Sequence, residues 1–217
     1  INISVFIKTC VNGSSELMTN LSSSIVNSLY NVQLMKFAGE NGVAAYGAVM
    51  YVNFIFVATF LGYAIGCAPV ISYHYGAGNH AELKNLYKKS MSIILVWGVI
   101  LFGAAQLLAP VLSKIFVGYN TGLYAMTLHG FRVYAIAFLI IGINIFGSSF
   151  FTALNNGLIS AVISFLRTLM FQVIMVLTLP LWFGINGIWS AISVAEALTL
   201  IMTTTFFVRQ KDKYHYL

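Results

Sequence analysis

The chain has 217 residues, of which 59% are apolar and only 7% charged, with a formal net charge of +6. A soluble domain carries roughly 25% charged residues, so this composition cannot dress a water-facing surface and excludes a water-soluble fold. The positive residues mostly flank apolar stretches, as in Lys/Arg-rich cytoplasmic loops, so no nucleic-acid partner is expected.

Six apolar spans are expected, near residues 13–38, 43–75, 89–117, 124–154, 157–180 and 185–208. A helix of about 20 apolar residues crosses a bilayer. The stretch 91–117, "MSIILVWGVILFGAAQLLAPVLSKIFV", carries Lys114 as its one charge. The predicted fold is an all-α, multi-pass membrane protein, a six-transmembrane-helix bundle, and the spans leave no room for a soluble catalytic domain.

In the first span Glu16, Asn20, Ser23, Asn27 and Asn31 recur every three to four residues. At about 100° per residue they gather within roughly 80° of one helical face. Hydrocarbon cannot solvate such a stripe, which must face a bundle interior or a wet cavity. Glu16 then reads either as a ligand for an ion or cationic substrate, or as an interhelical hydrogen-bonding group near the headgroups. Leu17, Leu21, Ile25 and Leu29 form the opposite, apolar face.

The second span ends in "GYAIGCAPVISYHYGAGN". Gly62 and Gly66 make a GxxxG patch suited to close helix contact, and Pro69 removes a backbone hydrogen bond, so this segment reads as a hinge or a fixed kink. Gly76 and Gly78 stop the helix. Asn79 caps the next helix with Glu82 as capping-box partner, so 76–90 reads as an amphipathic interfacial piece ahead of the third span.

Along the fourth span lie Asn144, Ser148, Ser149 and Thr152, with Gly142 and Gly147 small enough for close packing. Arg167 in the fifth span is about 15 Å from its inner start, and Glu196 in the sixth about 16 Å from its outer start. The two charges therefore meet at mid-depth, as a structural clamp or as a site responsive to protons or substrate. Trp182 beside Pro180 is an interfacial anchor.

Lys8, the Lys84, Lys88 and Lys89 group, and the Arg209, Lys211 and Lys213 group are separated by even numbers of crossings. The positive-inside rule puts them, and both ends of this segment, in the cytoplasm. Cys10 and Cys67 have no CxxC or metal-ligand spacing and read as buried thiols. HExxH, GxSxG and Walker motifs are missing, so no enzyme activity, catalytic residue, cofactor or metal site is expected.

The run "GYAIGCAPVISYHYGAGN" resembles span 8 and the following loop of multidrug and toxin extrusion (MATE) transporters. "NGSSELMTNLSSSIVNSLYN" is similar to span 7, "FLRTLMFQVIMVLTLP" to span 11 and "FGINGIWSAISVAEALT" to the entry of span 12. Together they bracket nearly all of the chain in family order. The resemblance implies that residues 1–217 are the carboxyl-terminal lobe of a longer cell-membrane protein whose amino-terminal six-helix lobe is the missing partner.

It further implies antiport, in which protons or sodium ions moving inward drive organic cations out through a cavity between lobes within the membrane lipid. The stripe Glu16–Asn31 and the polar positions Asn144 and Ser148 would face that cavity, with Gly62, Gly66 and Pro69 shaping its second wall. Ala68 stands where the family usually has glutamine, and His74 where it has asparagine. The ion-sensing acid of several branches lies in the other lobe, so neither Glu16 nor Glu196 inherits its role. The alternatives are a flippase for lipids or lipid-linked saccharides, and a membrane scaffold or accessory subunit.

Overall fold

An unbroken helix over residues 3–76 would be about 110 Å long, several times the ~30 Å of a bilayer core. The computed structural model describes residues 3–217; the side chains at 4, 5, 8, 11, 12, 14–16 and 18 lie outside its description. Helix α1 (Ile3–Gly76) is interrupted at Gly39, whose φ of 62° and ψ of −155° belong to a region open essentially to glycine. Tyr30 stacks on Tyr46 with ring centroids 5.1 Å apart, and the Tyr46 hydroxyl donates to Asn27 Oδ1 at 3.0 Å. Residues sixteen apart on a straight helix would stand about 24 Å apart, so the chain doubles back. One glycine thus separates two antiparallel limbs, 3–38 and 40–76.

Three later helices begin on an asparagine whose side-chain oxygen accepts from a backbone amide three residues on, satisfying one of the orphan N–H groups of a helix start. Asn79 caps α2 (His80–Val117), Asn120 caps α3 (Thr121–Ala135), and Asn156 caps α5 (Gly157–Phe165). The predicted capping box is half made, because the Glu82 carboxylate accepts from Asn85 Nδ2 instead. Nor is 76–90 a separate interfacial helix: α2 runs without interruption from His80 into the span. The cap at Asn79 leaves a strong helix start, and the helix continues through Pro110 to Val117.

The expected fourth span is two helices, α3 and α4 (Phe138–Ala153), bent by 47°. The amide of Ala137 bonds to Tyr134 O at 3.0 Å, a tightened turn that redirects the axis without proline or glycine. In the fifth span, α5 passes through a π-helical turn (Leu166–Met170) into α6 (Phe171–Phe183). Gly184, at φ 57°, then turns the chain into α7 (Ile185–Tyr214).

Among the described residues, four helical stretches are long and apolar enough to cross a membrane, five with α3 and α4 taken as one bent span. One of the four, Thr19–Gly76, contains the reversal at Gly39, which completes a six-helix bundle. The Tyr75 and Tyr214 rings lie 5.6 Å apart and those of His80 and His215 4.9 Å apart. The end of α1, the start of α2 and the end of α7 therefore meet. This puts the basic groups around Lys84 and Lys211 at one end of the bundle.

Close packing is concentrated on α4. A Cβ at Gly142 would overlap the Phe60 ring, and one at Gly147 would sit 2.5 Å from Thr203 Cγ2. The close contact expected of Gly62 and Gly66 is not made within this chain: both are exposed, with nothing within 4 Å. Pro69 is exposed too, and the helix continues through it to Gly76. Cys67 is half-buried, while Cys10 is exposed rather than buried, and both are free thiols.

Gly142→Ala should lower stability by about 1–3 kcal/mol through overpacking, read as a fall in melting temperature in detergent. Gly62→Ala, with no neighbour to strike, should change it by less than about 0.5 kcal/mol in the same assay.

Candidate functional site

Helix α7 presents an interior face of small residues, Ala191, Ala195, Thr199 and Thr203, all at 0% exposure. Their size lets neighbouring helices approach closely, and Glu196 enters the lobe there, 1% exposed. Arg167 Nε donates to its Oε1 at 2.8 Å, the one ion pair among the described residues. Asn144 Nδ2 donates to Oε2 at 2.7 Å and to the Glu196 carbonyl at 3.0 Å. Each carboxylate oxygen thus has its own donor, and a charge-assisted bond at this length is roughly twice as strong as a neutral one.

The pair is not closed to further chemistry. Asn144 Oδ1 and the Tyr30 hydroxyl are both buried without a hydrogen-bond partner. Tyr30, from α1, and Tyr134, from α3, lie within electrostatic reach of Glu196. Phenol, amide, guanidinium and carboxylate from separate elements therefore share one low-dielectric interior.

A second polar set ties α4 to α5. Ser148 Oγ lies 2.8 Å from both Ser160 Oγ and Ser164 Oγ, and Thr152 Oγ1 lies 2.6 Å from Ser160 Oγ. Residues four apart on one helix face residues four apart on the other, so the hydroxyls interleave as a ladder. Ser160 and Ser164 escaped sequence reasoning. Their spacing, matching Ser148 and Thr152, was the available signal, and only the antiparallel pairing of α4 and α5 gives it meaning.

The first-span stripe behaves otherwise. Asn20, Ser23, Asn27 and Asn31 are exposed, while the interior face of that limb is Ser22, Val26, Tyr30 and Leu34. Ser23 donates to Thr19 O and Asn31 to Asn27 O, local bonds that leave the stripe open to whatever covers it. Glu16 lies outside the described side chains. The structure therefore does not assemble the predicted residues into one site: Asn144, Ser148 and Glu196 are inside the lobe, and the asparagine stripe is on its surface. Tyr46, bonded to Asn27 and stacked on Tyr30, bridges the two. Among the described residues no group of three or more His, Cys, Asp or Glu is placed to hold a metal ion.

A family model described as MatE matches residues 17–178. Among solved structures, the chain is similar to an outward-facing multidrug resistance MATE family transporter of the MOP superfamily, with TM-score 0.88 and 20% identity, covering 97% of this chain and 48% of that one. An inward-facing MATE family transporter gives TM-score 0.85 and 20% identity over 91% and 46%. A MOP superfamily transporter from Pyrococcus furiosus, described by the reverse polarity of its binding pocket, gives 0.86 and 20% over 95% and 47%. The chain spans about half the length of each. No curated protein sequence matches.

Arg167→Leu, which strands a buried carboxylate, should cost roughly 3–5 kcal/mol in denaturant unfolding of the purified protein. The double variant Arg167→Leu, Glu196→Leu should recover most of that loss.

Proposed function

The chain belongs to the MatE family, and on that ground we propose that residues 1–217 form the carboxyl-terminal lobe of an antiporter that exports organic cations in exchange for protons or sodium ions. A second six-helix lobe, from the part of the family architecture this chain does not span, completes the transporter in a cell membrane. The end of the bundle bearing Lys84, Lys88, Arg209 and Lys211 faces the cytoplasm.

The observation that carries this reading is the exposed stripe Asn20, Ser23, Asn27 and Asn31. Amides on the surface of a membrane-spanning helix need water or protein, and lipid supplies neither hydrogen-bond donors nor acceptors in its core. A solvated cleft between two lobes supplies both. Glu16, on the same side of the helix by spacing, brings the negative charge that a cationic ligand requires. The exposed and unfilled patch of Gly62 and Gly66, with Pro69 below it, forms the facing wall of that cleft.

Glu196, Asn144 and Ser148 then belong to the ion side of the exchange, because a large cation has no room beside Glu196 and Asn144, which are 0–1% exposed. Binding and exchange couple when occupancy of either site changes which conformation is favoured. On the stripe side, Tyr46 bonds Asn27 and stacks on the buried Tyr30.

In proteoliposomes of the full transporter, an imposed proton or sodium gradient should drive export of a fluorescent organic cation. Asn27→Leu with Asn31→Leu should cut that export about tenfold or more at unchanged abundance, a loss of roughly 1.4 kcal/mol in transition-state stabilisation. Equal export from the variant would remove the stripe from the pathway. Pro69→Ala should slow turnover severalfold without changing abundance, and unchanged turnover would rule out a hinge there.

A further inference from the structure

The π-helical turn at Leu166–Met170 is not explained by residue propensity. Its residues are Leu, Arg, Thr, Leu and Met, without glycine or proline, and Leu, Arg and Met rank among the better α-helix formers. π turns are rare and often sit at functional sites. Here the Phe171 amide reaches back five residues to Leu166 O. Two tertiary or side-chain bonds fall on the same turn. Arg167 Nε is held by Glu196 at 2.8 Å, and the Thr168 hydroxyl bonds the carbonyl of Ser164 at 2.6 Å.

Helix α6, beyond the turn, lies at the edge of the bundle and packs mainly on α7. Of its 13 residues only Val176 and Pro180 are buried, whereas 11 of the 16 in α4 are. At the far end Gly187 packs directly on the Leu179 carbonyl, so the start of α7 gives α6 a fixed pivot. An α-helix turns about 100° per residue, so absorbing the extra residue of a π turn swings every α6 side chain to a new azimuth.

We propose that this turn is a charge-operated register switch: Arg167 holds it in π geometry while Glu196 is ionised, and neutralising Glu196 lets residues 166–170 close into α-helix and rotates α6 against α5. Arg167 from the π turn and Asn144 from α4 bond Glu196, and the phenols of Tyr30 from α1 and Tyr134 from α3 lie within electrostatic reach of it. Among these groups Glu196 carries the negative charge that Arg167 pairs with, so the tether on the turn depends on that charge. Asn144 donates to the carboxylate and carries no charge of its own, so it positions Glu196 without operating the switch. The proposal concerns the lobe alone and holds whatever the exported substrate is.

The test uses the protein in lipid nanodiscs, without substrate, in a cysteine-free background with spin labels at Leu158 and Leu181, which are 68% and 72% exposed. Glu196→Gln should change amide exchange at Phe171 and its neighbours by about tenfold or more and shift the distance between labels. Control label pairs on α2 should not move. The double variant Arg167→Leu, Glu196→Leu, which removes the tether without stranding a charge, should move both readouts in the same direction, which keeps the test decisive if Glu196→Gln does not fold. Unchanged exchange and distance in both Glu196→Gln and the double variant would overturn the proposal.

Discussion

Hydrocarbon does not hydrogen-bond, and every feature of this lobe answers to that fact. A polar group in the span region has two outlets, another protein group or a water-filled surface. Glu196 takes the first with a guanidinium and an amide, and the α4–α5 hydroxyls take it with one another. Most of the first-limb stripe finds only local bonds within this chain. That contrast separates an interior that is complete from a face that is not.

The same constraint governs how the chain turns. Backbone groups at helix ends are as costly to strand as side chains, so the reversals are short and well satisfied. Gly39 makes one in a single residue. Asn79, Asn120 and Asn156 each cap the helix they precede. At the other terminus His215 adopts a left-handed φ of 55° as the cap of α7, and Tyr216 then folds back to donate its hydroxyl to Phe207 O at 2.9 Å. That ring is fully buried against Tyr87 and Phe150. Residues beyond the last span thus help to close one end of the bundle.

Glycine placement divides the molecule in a comparable way. Gly130, Gly142 and Gly147 are packed so closely that a Cβ would strike a neighbour, whereas Gly62 and Gly66 look onto open space. Filled glycines mark where helices of this lobe meet. The unfilled pair lies on the limb antiparallel to the asparagine stripe, and within this chain it has no neighbour to pack against.

Much of the architecture was legible in the sequence. The apolar lengths gave the crossings, the spacing of basic groups gave their common end, and mid-depth arithmetic paired Arg167 with Glu196, because helix rise is nearly constant and charges in lipid cannot stand alone. What spacing could not supply was azimuth and register between helices. Whether a polar stripe turns inward depends on which neighbouring helix claims the adjacent face, and here Ser22, Val26, Tyr30 and Leu34 won the interior beside Asn27 and Asn31. The bend between α3 and α4 and the π turn around Arg167 also belong to tertiary structure alone. The bend is a tightened turn at Ala137 that no glycine or proline announces, and the π turn carries Arg167, whose partner Glu196 lies outside any local window of residues.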